Sequence, residues 1–455
     1  MKRLLPLLVL CGCGDNTLPL DAYQARSGKR IALRTYAYRD GAKQWDPTTF
    51  FDRERQERCT VQRWSDGNTY CTPPAVPTVY SEANCIDGEI GRWLATQPAP
   101  THFFREFTLI GGEVISRVFR RIGEVAPPAT TYEIANGRCV ESSSLGWTYY
   151  SLGEQLASTS FARVKHLSSV GESRLGLDAY TTEDGLYVPI ESDGPLLRDR
   201  VLDNECRVVA QPNAATTTCE PVYAGEAQFS RDAACATKDI LLIEATTTVP
   251  EVIMRDVGGC RSYTRRGAEI PHVPLFFPLG PSCVAVNPPP DAHLFEVGAA
   301  FEVAELMRVR EESPGHRLQR ILVGDGTTTV VDSLLYDSEL DVDCLRTQIG
   351  EAFRCLPANT FATVLPYFSD PACTVPVELS LVEDGACDAT TTFAIDKRGD
   401  EPIVRPLAAP FTTPIYEIST ADSCLEYIPP PRQKPFTLGA PLPLDRFVDA
   451  QLIIE

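Results

Sequence analysis

The sequence predicts an all-β chain folded as a tandem threefold repeat, and three observations carry that prediction. Short alternating runs rich in Val, Ile, Thr, Tyr and Phe are broken by Gly, Pro or Asp-Gly at intervals of about 8 to 12 residues, the pattern of antiparallel strands and tight turns. One cysteine motif is written three times. The single segment with a helical period, FEVAELMRVREE at 301–312, aligns with segments containing Ser-Thr-Ser and Leu-Pro-Leu-Asp, so no long helix is expected there.

The motif reads FFDRERQERCTVQRWSDGNTYCTP from Phe50, LRDRVLDNECRVVAQPNAATTTCEP from Leu197 and LYDSELDVDCLRTQIGEAFRCLP from Leu335. Asp52, Asp199 and Asp337 each stand seven residues before a cysteine, and each second cysteine is followed by any residue and then proline. Upstream, RIALRTYAYRDG, RLGLDAYTTEDG and RLQRILVGDG place an alternating strand before an Asp-Gly turn. Downstream, VYSEANC, QFSRDAAC and YFSDPAC set an aromatic and a serine before a third cysteine, and Gly153, Gly298 and Gly439 precede Phe161, Leu306 and Phe447 by eight residues. The copies span 30–173, 174–316 and 317–455. Self-similarity at a fixed period points to arrays, solenoids or propellers. Because the copies run together without a Gly/Ser linker, a propeller-like ring of about six blades is expected, with three β-sandwich-like domains as the alternative.

The chain opens MKRLLPLLVLCGC, two basic residues followed by a short apolar run. That is the form of a secretory signal, and the run is too short to span a bilayer of about 30 Å as a helix. Its close, Leu10-Cys11-Gly12-Cys13, resembles a bacterial lipobox, which implies a signal peptide over 1–12, cleavage before Cys13 and lipidation of that cysteine. Residues 13–29 then read as the lipidated cysteine and a tether. With 42 Lys and Arg against 61 Asp and Glu, the net charge is −19. An acidic surface disfavours nucleic acid, whose affinity comes from cations meeting phosphates, so no nucleic-acid partner is expected.

Of 16 cysteines, Cys11 and Cys13 belong to the signal, which leaves 14. An even number in an exported chain reads as disulfides, and no two mature cysteines have the close spacing of a structural zinc site. The repeat predicts Cys59–Cys71, Cys206–Cys219 and Cys344–Cys355 as hairpin staples. It also predicts Cys85–Cys139, Cys235–Cys283 and Cys373–Cys424, leaving Cys260 and Cys387 to pair with each other. Neither a metal nor a cofactor is expected.

No histidine among His102, His166, His272, His293 and His316 recurs at a common position in the repeat, and no G-x-S-x-G, H-E-x-x-H or phosphate-loop motif occurs. They read as structural or surface residues, and no catalytic residue is assigned. Asp52, Asp199 and Asp337 are expected to hold turns by accepting backbone N–H bonds, and Gly153, Gly298 and Gly439 to be structural. Asp40-Gly41, Asp184-Gly185 and Asp325-Gly326 read as hairpin turns before calcium ligands. Arg120-Arg121, Arg265-Arg266 and Lys397-Arg398 read as turn charges that could together meet an anionic polymer.

The lipobox, the paired cysteines and the repeated grammar resemble the uncharacterised cysteine-rich, repeat-containing lipoproteins of large-genome Gram-negative soil bacteria. That resemblance implies an exported protein attached to the outer membrane by its N-terminal lipid, facing the periplasm or the surface, and brings no activity with it. The expected function is a disulfide-stapled β-scaffold that binds a protein or a glycan. The alternatives are a carbohydrate-active enzyme using paired carboxylates and a purely architectural envelope protein.

Overall fold

The structure is a computed structural model. It describes residues 24–455 apart from 65, 75–77, 86–87, 95–101, 111–112, 136–137, 144–145, 169–172, 191–195, 210–213, 223, 227, 237–238, 244–248, 258–259, 280–281, 312–315, 359–363, 384–390, 397–398, 400, 419–422 and 430–432. Cys13, Cys387, Lys397 and Arg398 lie outside the described residues. Strands dominate throughout, and the only helical segments among the described residues are 3₁₀ turns at Ser158–Ser160 and Leu444–Arg446.

The largest sheet has sixteen strands. The first stretch supplies β1 (Ile31–Tyr38), β2 (Lys43–Asp52), β3 (Glu57–Arg63), β4 (Thr69–Thr72) and β5 (Ala162–Ser168). The second supplies β6 (Leu175–Thr182), β7 (Tyr187–Pro189), β8 (Leu196–Asp199), β9 (Asn204–Val208), β10 (Thr216–Pro221) and β11 (Ala304–Glu311). The third supplies β12 (Leu318–Gly324), β13 (Thr329–Asp337), β14 (Val342–Ile349), β15 (Ala352–Pro357) and β16 (Asp449–Ile454). Their order is β5-β4-β3-β2-β1-β16-β15-β14-β13-β12-β11-β10-β9-β8-β6-β7, and β5 also pairs with β6, so the succession returns to its start.

Every pairing in this circuit is antiparallel, yet it passes through an odd number of strands once the side strand β7 is set apart. Strict up-and-down alternation around a barrel needs an even number, so the circuit is not a barrel. The first strands bend and change partners along their length. Ile31–Leu33 pair with Asp52–Phe50 and, past a register shift, Thr35–Ala37 pair with Trp45–Lys43, while Arg34–Tyr38 also pair with Ile454–Ala450 of β16. Leu175–Leu177 pair with β8, whereas Asp178–Thr182 pair with β5. The sheet order does not show propeller blades, since a blade is a separate sheet of about four strands. Nor does it show three separate sandwiches, because strands from all three stretches share one sheet.

The Asp-Gly turns interlock these stretches. Gly41, Gly185 and Gly326 have φ of 97°, 104° and 90°, a region open to glycine at no steric cost. The Asp184 carboxylate reaches back to accept N–H bonds from Arg30 (2.5 Å) and Ile31 (2.9 Å). Asp40 likewise accepts from Leu318 (2.6 Å), 278 residues away. At the third turn the Thr328 hydroxyl donates to the Leu175 carbonyl (2.8 Å). The cores cross the same boundaries: Leu186 and Val188 pack with Ile31, Phe50 and Val164, and Tyr36 and Tyr38 pack with Leu318 and Leu335.

Smaller sheets lie between the second cysteine of each stretch and its last large-sheet strand. They have seven strands within 78–156, five plus a two-stranded hairpin within 224–301, and seven within 364–438. Gly153 and Gly298 sit where these sheets slip register, and Gly439 directly follows its strand and donates to the Pro406 carbonyl at 2.8 Å. A Cβ there would lie 3.2, 2.7 and 3.3 Å from the carbonyl oxygens of Arg120, Arg265 and Pro406. Arg120-Arg121 and Arg265-Arg266 thus stand in strands, at bulges, not in turns. One alignment also shifts. Ala162 and Ala304 face Cys71 and Cys219, so Val303, not Leu306, corresponds to Phe161. The 3₁₀ turns before Phe161 and Phe447 account for the three extra residues in the first and third stretches.

Six disulfides are formed with the expected partners. The three hairpin staples each hold Cα atoms 5.3 Å apart, and the three longer links hold them 5.7 Å apart. Cys85, Cys235 and Cys373 share a left-handed φ of 50° to 51°. The expected Cys260–Cys387 pair involves a residue outside the described ones.

Candidate functional site

Asp52, Asp199 and Asp337 are closed structural centres. Each is at most 2 % exposed and takes a two-pronged ion pair from the arginine that opens its stretch: Arg30 at 2.8 Å, Arg174 at 2.7 Å and Arg317 at 2.6 Å. Their Oδ1 atoms also accept backbone N–H bonds from Glu54, Val201 and Glu339. With its oxygens so occupied, none of the three is placed to meet a ligand.

The chemistry that varies lies at the junctions between stretches. Four residues after the position facing the second cysteine stand His166, Arg308 and Leu452; just before each first cysteine stand Arg58, Glu205 and Asp343. At the junction of the second and third stretches, Arg308 is 5 % exposed and lies between Asp332 (3.0 Å) and Asp343 (2.9 Å). Burial pushes the Asp332 carboxyl up while Arg308 pulls it down. At the junction of the third and first, Leu452 replaces the cation, and Asp46 is met by Arg34 (3.6 Å) and by the hydroxyls of Thr48 and Thr49. The cleft beside it, between Trp45 and Asp332, measures about 90 Å³ and is bridged by Gln44 donating to the Ser333 carbonyl.

The junction of the first and second stretches is open. A cleft of about 670 Å³ is lined by Thr60, Gln62 and Thr69 from the first stretch and by His166, Tyr180 and Glu205 across the β5–β6 boundary. His166 takes the place that Arg308 holds elsewhere, and it turns to Asp178, with Nε2 at 3.1 Å from Oδ2. The imidazole is 45 % exposed while Asp178 is 1 % exposed, so the carboxylate supports the ring from behind. Two buried oxygens here, Asp178 Oδ1 and Thr60 Oγ1, have no hydrogen-bond partner in the protein, a state that costs about 1–3 kcal/mol apiece. Burial first, then Glu205 and Asp178, holds the Tyr180 phenol above its ordinary value.

Sequence reasoning placed His166 among surface histidines. The pairing of His166 with Tyr180 across two consecutive strands sets it near Asp178, and only the hairpin register could have revealed that. Among the other histidines, His272 Nε2 lies 2.7 Å from the Ala292 carbonyl and His293 Nδ1 lies 2.7 Å from Glu269. The carboxylates of the Asp-Gly turns are occupied by backbone N–H groups at Asp40 and Asp184, and at Asp325 by its own turn's N–H groups. No helix among the described residues is long and apolar enough to cross a membrane.

Fold and cleft together define an all-β protein of interlocked, disulfide-stapled sheets with an open cleft of mixed polar and apolar lining at a strand junction. The chain belongs to DUF7481, a family of unknown function, which matches residues 6–447. No curated protein matches it, and no solved structure does.

Proposed function

We propose that the protein is an envelope-anchored lipoprotein that binds a glycan in the cleft between its first and second stretches. The observation that carries this is the contrast among junctions: two close over their own charges, whereas the one between the first and second stretches opens about 670 Å³ lined by hydroxyl, amide, imidazole, phenol, guanidinium and carboxylate groups together with apolar side chains such as Phe50 and Ile190. Such a lining suits a polyhydroxylated ring, which needs donors and acceptors on its edge and an aromatic face beside it. The anchor rests on the Leu10-Cys11-Gly12-Cys13 signature, and export on the disulfides, which form in oxidising compartments. We read 30–173, 174–316 and 317–455 as three copies of one unit, supported by the recurrent ion pairs, turns and disulfide spans. On that reading, the three junctions have each diverged, and the binding junction is the one with the widest cleft.

Binding is favoured over glycosidic chemistry because the two carboxylates at the cleft are unequal. A glycosidase presents both to the substrate, whereas Asp178 is almost fully enclosed behind His166. The enzymatic reading keeps one observation of its own, the His166–Asp178 pair beside Glu205. An architectural role would leave the cleft empty of small ligands.

The test is a thermal-shift screen of the exported, disulfide-intact protein against neutral bacterial and fungal glycans. A ligand at a hundredfold excess over Kd stabilises the native state by about 2.7 kcal/mol. A shift with one glycan class, reduced by Glu205→Gln, supports the site, and product release would move it to the enzymatic reading. If no glycan shifts the midpoint, the binding reading fails.

A further inference from the structure

A second cleft lies in the first stretch, about 420 Å³ in volume and bordered by Arg55, Arg120, Arg121, His102 and Glu54. Three guanidinium groups at one opening are conspicuous on a chain of net charge −19. Arg55 is the informative one. It stands three residues after Asp52, the position that is Leu202 after Asp199 and Leu340 after Asp337. Leu202 packs with Tyr263 and Phe301, and Leu340 packs against Ile349 and Phe447. The socket is therefore apolar elsewhere in the chain, and setting a cation in it is costly unless something compensates.

Compensation within the protein is partial. The Arg55 guanidinium lies 4.5 Å from the ring centre of Phe161 and 5.1 Å from that of Phe103, and Nη2 donates to the Ser160 carbonyl at 2.6 Å. Nε is buried without a hydrogen-bond partner. Burial first, and then Arg30 and Arg120, lower its proton affinity, while Asp52 and Glu54 act the other way. Of the nearby carboxylates, Glu54 meets Arg30 at 3.0 Å, Glu154 meets Arg120 at 3.3 Å, and the buried Glu57 accepts the His102 N–H at 2.8 Å. Arg121 is held over the Tyr150 ring at 4.5 Å. Aromatic faces thus hold Arg55 and Arg121 in place, an arrangement suited to gripping an oxyanion, since a guanidinium matches carboxylate, sulfate and phosphate in paired hydrogen bonds.

We propose that this cleft is an oxyanion-binding site that takes a carboxylate, sulfate or phosphate group between Arg55, Arg120 and Arg121. The site stands apart from the cleft at His166 and does not rest on the glycan reading. Isothermal titration of the full exported chain with trigalacturonate, inorganic sulfate and inorganic phosphate tests it, with maltotriose as the neutral comparison. Binding of trigalacturonate alone would point to an acidic saccharide, and binding of the inorganic anions as well to a free oxyanion. Arg55→Leu, the residue found at both corresponding positions, and Arg120→Gln, on an exposed side chain, should each weaken anion binding about tenfold or more and leave maltotriose binding unchanged. Binding should also fall as NaCl rises from about 20 to 300 mM. The proposal is overturned if none of the three anions binds, or if both variants bind them as well as the parent chain does.

Discussion

At the scale of residues, the same side-chain types have separate fates according to what surrounds them. Asp52 has its oxygens filled by Arg30 and by backbone N–H groups, so Asp52→Ala takes the buried carboxylate from Arg30, leaving it the exposed Glu54, and removes the acceptor of the Glu54 and Arg55 N–H groups. Urea denaturation should show a loss of about 3 kcal/mol. Asp178 is equally buried, yet one of its oxygens is unpartnered. Asp178→Asn should therefore leave stability level or raise it, while weakening whatever ligand depends on the orientation of His166. A loss of stability as large as that of Asp52→Ala would mean that Asp178 is a structural group. Asp52, Asp199 and Asp337 were legible as turn-holding residues because they recur. Their arginine partners recur too, and only the fold showed that each opening arginine reaches its aspartate across a strand pair.

At the scale of elements, the turns and staples carry the order. The Asp184 carboxyl sits below its ordinary value: burial opposes this, and hydrogen bonds from the Thr182 hydroxyl and the N–H groups of Ile31 and Arg30 outweigh it. A depressed carboxyl contributes stability that is complete above its unfolded value of 3.8 and is lost as pH falls through the lower folded value. Asp184→Asn should flatten that acid limb of a stability curve measured from about pH 7 to pH 3, and an unchanged limb would remove Asp184 from the interlock. Among the disulfides, Cys85–Cys139 spans 54 residues and Cys59–Cys71 spans 12. Removing the longer link should cost about 4 kcal/mol and the shorter about 3, read from denaturation of the paired serine variants. Cysteine spacing made both links legible. The bulges at Gly153 and Gly298 and the close approach at Gly439 were not, because the crowding carbonyl of Arg120, Arg265 or Pro406 comes from another strand.

At the scale of the whole molecule, one circuit of strands ties the first stretch to the last. Tyr36 faces Leu452 and Tyr38 faces Ala450, so the end of the chain completes a sheet begun near its start. Deleting 449–455 should therefore expose β1 and destabilise the first and third stretches together, which hydrogen exchange would show as joint loss of protection. The all-β class was legible from alternation and turn residues. The route of the circuit was not, since a first strand shared between two neighbours leaves no mark in hydrophobic period. The junction cleft was hidden for the same reason, its residues being drawn from β2, β3, β4, β5, β6, β8 and β9. The most direct measurement is isothermal titration of the disulfide-intact protein with the glycan that shifts its midpoint most, comparing the parent chain with Glu205→Gln, His166→Ala and, at the narrow third junction, Arg346→Gln. The two changes at the open cleft should each weaken binding about tenfold or more and Arg346→Gln should leave it unchanged. Undiminished binding in both cleft variants would contradict the assignment of the site.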